Sequence, residues 1–570
     1  MQNLSFSVRR FFSLLLSASA SIVVWLVTIF EDTLVSSHLL GETALAAYTH
    51  IVPIYSFMLF IGTAIAVGSS VCYTYEIGKL NKERAYEFFG QAVILAIIAG
   101  CILLGVNTIG SGLVLGIMNP TADLAPYINQ FMKWFPWVSL LIPLSCVLMN
   151  MVQADGDTRI VNFHNGILII GNFLLSWILG GKYGMEGIVL GTFISSLVGL
   201  IILSLHFFQK QNSLRFKFHL NFKDVLVAFR FSAVEACEYL YLALLTFLLS
   251  QFVTRYFDEN TLTTLSVMFE GLEMTVIFGG IWQAAEPLIN IYRAEENAVG
   301  IRRLMHYVNG TAFFEGLFVT IGAFVCAPLL VLLFHIQTPE LQNSTAAAIR
   351  IASLGLLALA FVNLYNNYYL HEHPWFAMFI SVMRNLAVPV TVITLMGIQF
   401  GKTGLWAGCA LAPIFTLGLC SLIFILKFGR TEFPLFLNEF DQNCYYQFDY
   451  PMTPAAIVSL RDQVAKSLTI EGVSPNIRMK AMLLIEEMNM AFIEKNKGKM
   501  HYGECSLLAK ENSVSLILKN SGKLLDMTNL EMSVSNLRAY MVTSLMVYQE
   551  KRAYVLTTSY NRHVFEFPKA

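Results

Sequence analysis

Charge is scarce in this 570-residue chain: Asp, Glu, Lys and Arg together make up 13% of it, about half the roughly 25% usual in soluble proteins. Hydrophobic residues make up 56%, and the mean hydropathy is +0.60. A water-soluble globule of this length is thereby excluded. The net charge of −1 offers no field to a polyelectrolyte such as nucleic acid. Nine cysteines are scattered without a Cys-x-x-Cys pair, so neither a metal site nor a disulfide framework is suggested. Arg9 and Arg10 precede an apolar run, but no Ala-x-Ala-type cleavage site follows. That run reads as a first membrane helix rather than a removable signal.

What remains is a series of apolar runs of roughly 20 residues or more, each long enough to cross a bilayer. Twelve are expected, over about 11–36, 45–75, 88–117, 126–152, 160–180, 185–208, 225–253, 262–292, 306–335, 345–370, 376–398 and 403–428. Basic residues concentrate after even-numbered spans: Lys79, Lys82 and Arg84; Arg159; Lys210, Arg215, Lys217 and Lys223; Arg293, Arg302 and Arg303; Lys427 and Arg430. Loops after odd-numbered spans hold only Lys182, Arg255 and Lys402. The positive-inside bias places both chain ends in the cytoplasm of a multi-pass plasma-membrane protein. Beyond about residue 440 the composition becomes ordinary and polar, which predicts one soluble cytoplasmic domain over 440–570.

The apolar part repeats itself. "GIVLG" at 187–191 stands opposite "GLWAG" at 404–408, and the segment from Ile61 echoes the one from Phe278. Six spans per half give both halves the same orientation, hence lobes over 1–215 and 216–435. Carriers commonly bind substrate between such repeats. Gly-x-x-x-Gly also simply packs helices closely, so the long offset match is the stronger sign of duplication.

Three stretches now carry a resemblance: "EDTLVSSHLLGETALAAY" at 31–48, "MVQADGDTR" at 151–159 and "GNFLLSWILGGKYGMEGIVLGTFIS" at 171–195. In order and spacing they resemble the multidrug and toxic compound extrusion (MATE) family over about residues 10–430. The resemblance implies an all-α membrane protein of two six-helix lobes. It further implies coupling of transport to H⁺ or Na⁺, with no other cofactor. It assigns a first-span acid to Asp32 and a fifth-span amide to Asn172; Ser176 stands where that family has a second acid. A seventh-span glutamate of the family is matched loosely by Glu235 or Glu238.

Acids inside apolar spans normally face a water-filled cavity or the bundle interior. Glu235 and Glu238 are three apart and share a helical face. Glu270 and Glu273 repeat that spacing, Glu286 lies deep in the eighth span, and Glu31 neighbours Asp32. Neighbouring carboxylates raise one another's pKa and can share a proton. Asp32, Asn172, Glu235, Glu238 and Glu286 are therefore the residues expected to couple cation and substrate. Trp134, Trp137, Tyr239, Tyr241 and Trp282 read as interface or core aromatics, and His50, His164 and His371 as isolated histidines. Asp155 and Asp157 read as helix-start caps, and Pro53, Pro136, Pro143, Pro287 and Pro389 as helix bends.

The tail predicts two helices, from Thr453 and Ser474 as caps. A hairpin is expected to turn at Glu511-Asn512 and a second strand pair at Asn561. In that order it resembles the ATP-binding fold of histidine kinases and anti-sigma-factor kinases. "LLIEEMNMAF" and "KNSGKLLD" fall at the family's acid-rich helix and Asp-x-Gly box. The departures are Ala491 for the magnesium-binding Asn, Asn520 for the adenine-contacting Asp, and "SNLRAYMV" for the glycine-rich lid. A degenerate domain without ATP hydrolysis is expected, with a cytoplasmic protein or a weakly held nucleotide as its partner.

Together these readings describe an antiporter that exports organic cations or amphipathic compounds through the bilayer. No enzymatic chemistry is expected. Two alternatives stay open. A flippase for lipid-linked saccharides would want cavity arginines or lysines for phosphates; Lys133, Arg230, Arg350 and Arg384 are expected near span ends. A transporter-like sensor would signal through the tail.

Overall fold

The structure is a computed structural model. It describes residues 6–78, 81–109, 112, 116, 123–155, 157–209, 212–294, 297–334, 336, 338–435, 437, 445–496, 501–510, 512–523, 546–552 and 560–569. The chain forms two compact units, Val23–Phe278 with Phe313–Ile423, and Met1–Ile22 with Gly279–Ala312 and Phe424–Ala570.

Helices of the membrane part run in chain order: α1 Phe6–Leu40, α2 Glu42–Gly78, α3 Lys82–Ile109, α4 Ala125–Phe131, α5 Phe135–Ala154, α6 Thr158–Gly166, α7 Asn172–Tyr183, α8 Met185–Ser204, α9 Phe222–Tyr256, α10 Glu259–Leu272, α11 Gly279–Ala294, α12 Ala298–Leu333, α13 Pro339–Ser353, α14 Leu356–Glu372, α15 Pro374–Val382 and α16 Val388–Phe428. Among the described residues, eight helical stretches are long and apolar enough to cross a membrane, or nine if the pair Pro339–Ser353 and Leu356–Leu370, bent by 48°, is one span. The expected twelve are not reached on that measure, for local reasons. Expected spans 11 and 12 merge into one stretch, Pro374–Phe428, that turns at Gly401 (φ 67°). The expected span 262–292 is two helices, α10 and α11, joined by a 3₁₀ turn at Glu273–Phe278. Most side chains of the first expected span lie outside the described residues.

The sequence repeat has a backbone counterpart. A π-turn at Ile167–Gly171 precedes α7, and another at Met383–Ala387 precedes α16 (383 − 167 = 216). Gly184 takes φ 65°, ψ −143° and Gly401 takes φ 67°, ψ −147° (401 − 184 = 217). Only glycine adopts that region at little cost. Just beyond each, a β-carbon on Gly187 would lie 2.0 Å from the Leu179 carbonyl oxygen, and one on Gly404 would lie 2.1 Å from that of Met396. Each pair of helices is thus in backbone contact on either side of its turn.

The first-named unit buries a core that includes Val35, Phe135, Ile188, Leu249, Phe334 and Trp406. Asp155 caps the C-terminus of α5 and Asp157 caps the start of α6, accepting from Ile160 N–H at 3.3 Å. The expectation of helix-start caps fits Asp157 alone. Asp155 is a tether instead, accepting from the Ser213 N–H (2.9 Å) and facing His206 Nε2 (2.8 Å), while His206 Nδ1 faces Asp157 (3.0 Å). Burial pushes the Asp157 carboxyl upward, but the His206 contact and the helix-start N–H groups outweigh it and hold its pKa below the usual value.

In the other unit the tail forms an antiparallel sheet of β1 Tyr445–Pro451, β2 Tyr502–Ala509, β3 Ser513–Ser521, β4 Met546–Arg552 and β5 Tyr560–Pro568, in the order β1-β2-β3-β5-β4. Helices α17 Pro454–Ile470 and α18 Pro475–Lys495 cover one face. Period-two alternation sends Tyr450, Cys505, Leu507, Leu516, Leu518 and Phe565 into a shared core with Leu460, Val464, Leu484, Ile485 and Phe492 of these helices. Thr453 caps α17 through the Ala456 N–H, whereas Ser474 makes no side-chain cap. Lys510 N–H bonds Ser513 C=O, closing the β2–β3 turn; Glu511 lies outside the described residues. The turn expected at Asn561 lies elsewhere. Asn561 sits within β5, paired with Asn520 and Lys551, because its side chain donates to Asn520 Oδ1 across the sheet. "SNLRAYMV" lies outside the described residues.

Asp449 of β1 accepts from the Phe6 N–H at 2.7 Å and from Arg303 at 3.0 Å. Burial, then the nearby Glu504 charge, push its pKa from 3.8 to about 6 against those two donors. A carboxyl whose pKa rises on folding contributes stability that is full below its unfolded pKa and lost as pH rises through the folded one. Between pH 5 and pH 7.5 the unit should therefore lose on the order of 1–2 kcal/mol. Thermal unfolding of the full chain at the two pH values checks this; Asp449→Asn should flatten the difference.

Candidate functional site

Asp32 lies in α1, and its carboxylate is met by three side chains from two helices. Oδ1 accepts from Asn172 Nδ2 at 3.0 Å and from Ser176 Oγ at 3.3 Å; Oδ2 accepts from Thr192 Oγ1 at 3.2 Å. Ser176 Oγ also lies 3.2 Å from Asn172 Oδ1 and 3.1 Å from Ile188 C=O, and Ser195 Oγ lies 3.4 Å from Asn172 Oδ1. Asn172 and Ser176 are one turn apart on α7, and Thr192 and Ser195 one turn apart on α8, so each pair shares a face.

Two backbone devices bring those faces together. The π-turn at Ile167–Gly171 ends where Asn172 begins; such bulges recur at functional sites because they rotate the downstream helix about its axis. Gly191 lets α8 press on α7: a β-carbon there would lie 2.6 Å from Ser176 N. Any larger residue would push Thr192 away from Asp32.

The positions 217 residues further on do not repeat this chemistry. The positions matching Asp32, Ser176 and Thr192 are Leu249, Ile393 and Cys409 (249 − 32, 393 − 176 and 409 − 192 each give 217). All three are buried members of the apolar core. The charges of the second half lie elsewhere. Arg384, in the second π-turn, donates to Glu238 at 2.7 Å, Asn363 at 2.8 Å and Asn385 at 2.9 Å. Its side chain is 11% exposed, while Glu238 is 42% exposed. Glu235, one turn back, is exposed.

Asp32 and Asn172 are thus brought together, and Glu238 is brought to a cation rather than left as an open carboxylate. Glu286 is half-buried in α11, within the other unit. The side chains of Glu31, His50, Glu270, Glu273, Pro287 and His371 lie outside the described residues. His164 is buried against Gly199, in a packing role. Arg384 corrects the expectation of a span-end position: it lies well inside the Pro374–Phe428 stretch. Thr192, Ser195, Asn363 and Arg384 were missed as site residues. The available signal was hydroxyl residues at helical spacing directly after "GIVLG", and a charged Arg-Asn pair inside an apolar run.

Residues 16–178 match the MatE family model. The fold is similar to that of solved MATE transporters. One is an inward-facing multidrug resistance MATE family transporter of the MOP superfamily, with TM-score 0.66 and 17% identity over 73% of this chain and 97% of that one. Another is a MOP superfamily transporter from Pyrococcus furiosus, for which reverse polarity of the binding pocket suggests a different function (TM-score 0.60, 17% identity, 76% of this chain, 97% of that one). A third is the MATE multidrug transporter DinF-BH, solved as a complex with a ligand (TM-score 0.60, 15% identity, 77% of this chain, 99% of that one). No curated protein sequence matches the chain. At these identities the structural likeness carries the fold.

Removing one member of a partly buried ion pair strands the other. Arg384→Gln and Glu238→Gln should each lower stability, and the double variant should lose less than the sum. A coupling energy of about 1–3 kcal/mol is expected, discounted for the exposure of Glu238. Melting curves of the four proteins in detergent measure it.

Proposed function

We propose that the chain is a MATE-type secondary active efflux transporter, exporting organic cations or amphipathic compounds by alternating access in exchange for H⁺ or Na⁺. One observation carries this reading: Asp32, on α1, is a carboxylate whose partners among the described residues are all neutral. Such an acid is stable either protonated or holding a cation, and exchange between those states is what coupling requires. Asn172, Ser176 and Thr192 orient it, and Ser176 and Thr192 add hydroxyl oxygens that suit Na⁺ as well as a proton. Ser176 in place of a second acid leaves Asp32 as the one carboxylate of this centre among the described residues, hence one charge per cycle there.

The second half supports a division of labour. Arg384 neutralises Glu238 internally, which leaves Glu235 as the group's other acid. That suits a monovalent organic cation at the exposed Glu235, with Glu238 held in reserve. The flippase alternative needs a cation free to meet phosphate; Arg384 already donates to a carboxylate and two amides. The plasma membrane, with both chain ends cytoplasmic, is the location that the basic loops favour. For the tail, the degenerate nucleotide boxes favour a binding role over ATP hydrolysis.

Reconstitution into proteoliposomes under imposed H⁺ or Na⁺ gradients tests the coupling assignment. Asp32→Asn should cut gradient-driven flux of a fluorescent organic cation by at least about tenfold, with substrate binding largely retained. Undiminished gradient-driven flux in this variant would remove Asp32 from the coupling role.

A further inference from the structure

The face of the tail sheet opposite α17 and α18 carries a buried ion pair. Glu504 is fully buried and Lys519 is 2% exposed, and their charged atoms lie 2.9 Å apart. Glu504 Oε2 accepts from Gln447 Nε2 at 2.8 Å and from the Tyr292 hydroxyl at 2.7 Å. The Tyr292 ring also lies 4.3 Å from the Lys519 ammonium. Tyr292 belongs to α11, so a membrane-part helix supplies both a hydrogen bond and a π-face to a charge pair of the tail. A second clamp holds the sheet edge: Asp449 takes the Phe6 N–H of α1 and Arg303 of α12, and the Arg9 guanidinium sits 3.4 Å from the Tyr502 ring centroid. Close by, Asn309 of α12 donates to Pro434 C=O at 3.1 Å.

This chemistry suits a reversible contact. A buried ion pair contributes little net stability by itself, because desolvation offsets attraction. Undocking returns Glu504 and Lys519 to water still paired, so the tail does not unfold when α11 leaves. Tyr292 lies six residues beyond Glu286 on α11, about 9 Å along the helix axis. Displacement of Glu286 with its helix is therefore displacement of Tyr292.

We propose that residues 445–569 are a regulatory domain docked on α11 and α12 through Tyr292 and Arg303, and that its docking is reciprocally coupled to the state of the Glu286-bearing helix. The docked tail favours one arrangement of α11 and α12, and a carrier that must leave that arrangement turns over more slowly. Release of the tail accelerates transport. The transport arm rests on the carrier reading; the docking arm does not.

The full-length protein in lipid nanodiscs is read by amide hydrogen exchange over 289–305 and 502–508, and in proteoliposomes by turnover of a fluorescent organic cation. Tyr292→Phe keeps the ring and loses the buried hydroxyl bond; Arg303→Gln opens the second clamp at an exposed position, and decides the matter if Tyr292→Phe does not fold. Each should speed exchange in both segments by about three- to tenfold, the scale of one lost buried hydrogen bond, and raise turnover. Glu286→Gln should alter exchange at 502–508. Unchanged exchange in both clamp variants overturns the docking. Faster exchange with unchanged turnover, or an indifferent Glu286→Gln, overturns the coupling. A parent without gradient-driven flux removes the carrier reading instead, leaving docking and reciprocity to the exchange data.

Discussion

A carboxylate among apolar helices must be met by something, and among the described residues Asp32 is met by neutral donors alone. That constraint organises the region around it. Asn172, Ser176 and Thr192 come from helices that reach one carboxylate only because Gly187 and Gly191 let backbones touch. A π-turn sets the rotation of Asn172 at the head of α7. Burying a charge without a counter-charge is expensive, and the expense is tolerable if the charge is intermittently cancelled by a mobile cation. The neutrality of Asn172, Ser176 and Thr192 is thus a condition of the proposed coupling.

The same argument explains why segments that echo each other at an offset of 217 differ in chemistry. Their shared features are geometric: a π-turn, a left-handed glycine, and a close glycine contact on the far side. Chemistry diverged on that frame. Where one half has Asp32, Ser176 and Thr192, the other has Leu249, Ile393 and Cys409, and its acids are shifted to Glu235 and Glu238 with Arg384 as an internal partner. One half keeps a carboxylate met by neutral donors among the described residues; the other supplies a counter-charge of its own.

The tail follows a related logic at its outer face. Period-two alternation placed a hydrocarbon core on the side of α17 and α18, and left a charged layer on the other. Glu504 and Lys519 face each other across β2 and β3 on that other side. They are buried because α11 brings Tyr292 onto them, and pairing across β2 and β3 makes that burial tolerable.

Composition and hydropathy alone settled that the chain is built of membrane helices followed by a polar tail, since hydrocarbon admits only backbone that satisfies its own hydrogen bonds. Asp32 and Asn172 were legible as a pair only through the family resemblance, which assigns a first-span acid to one and a fifth-span amide to the other. The two tail helices and the first hairpin were legible from their periods. Tertiary structure alone decided the rest. Which acid meets a cation depends on helix rotation, so Glu238 looked like Asp32 until Arg384 was placed beside it. The break of the expected eighth span into α10 and α11, the position of Asn561 inside a strand, and the burial of Glu504 all turn on partners far along the chain or on backbone turns that hydropathy does not register. Local sequence measures what a segment costs to bury; only the assembled fold shows which neighbour offsets that cost.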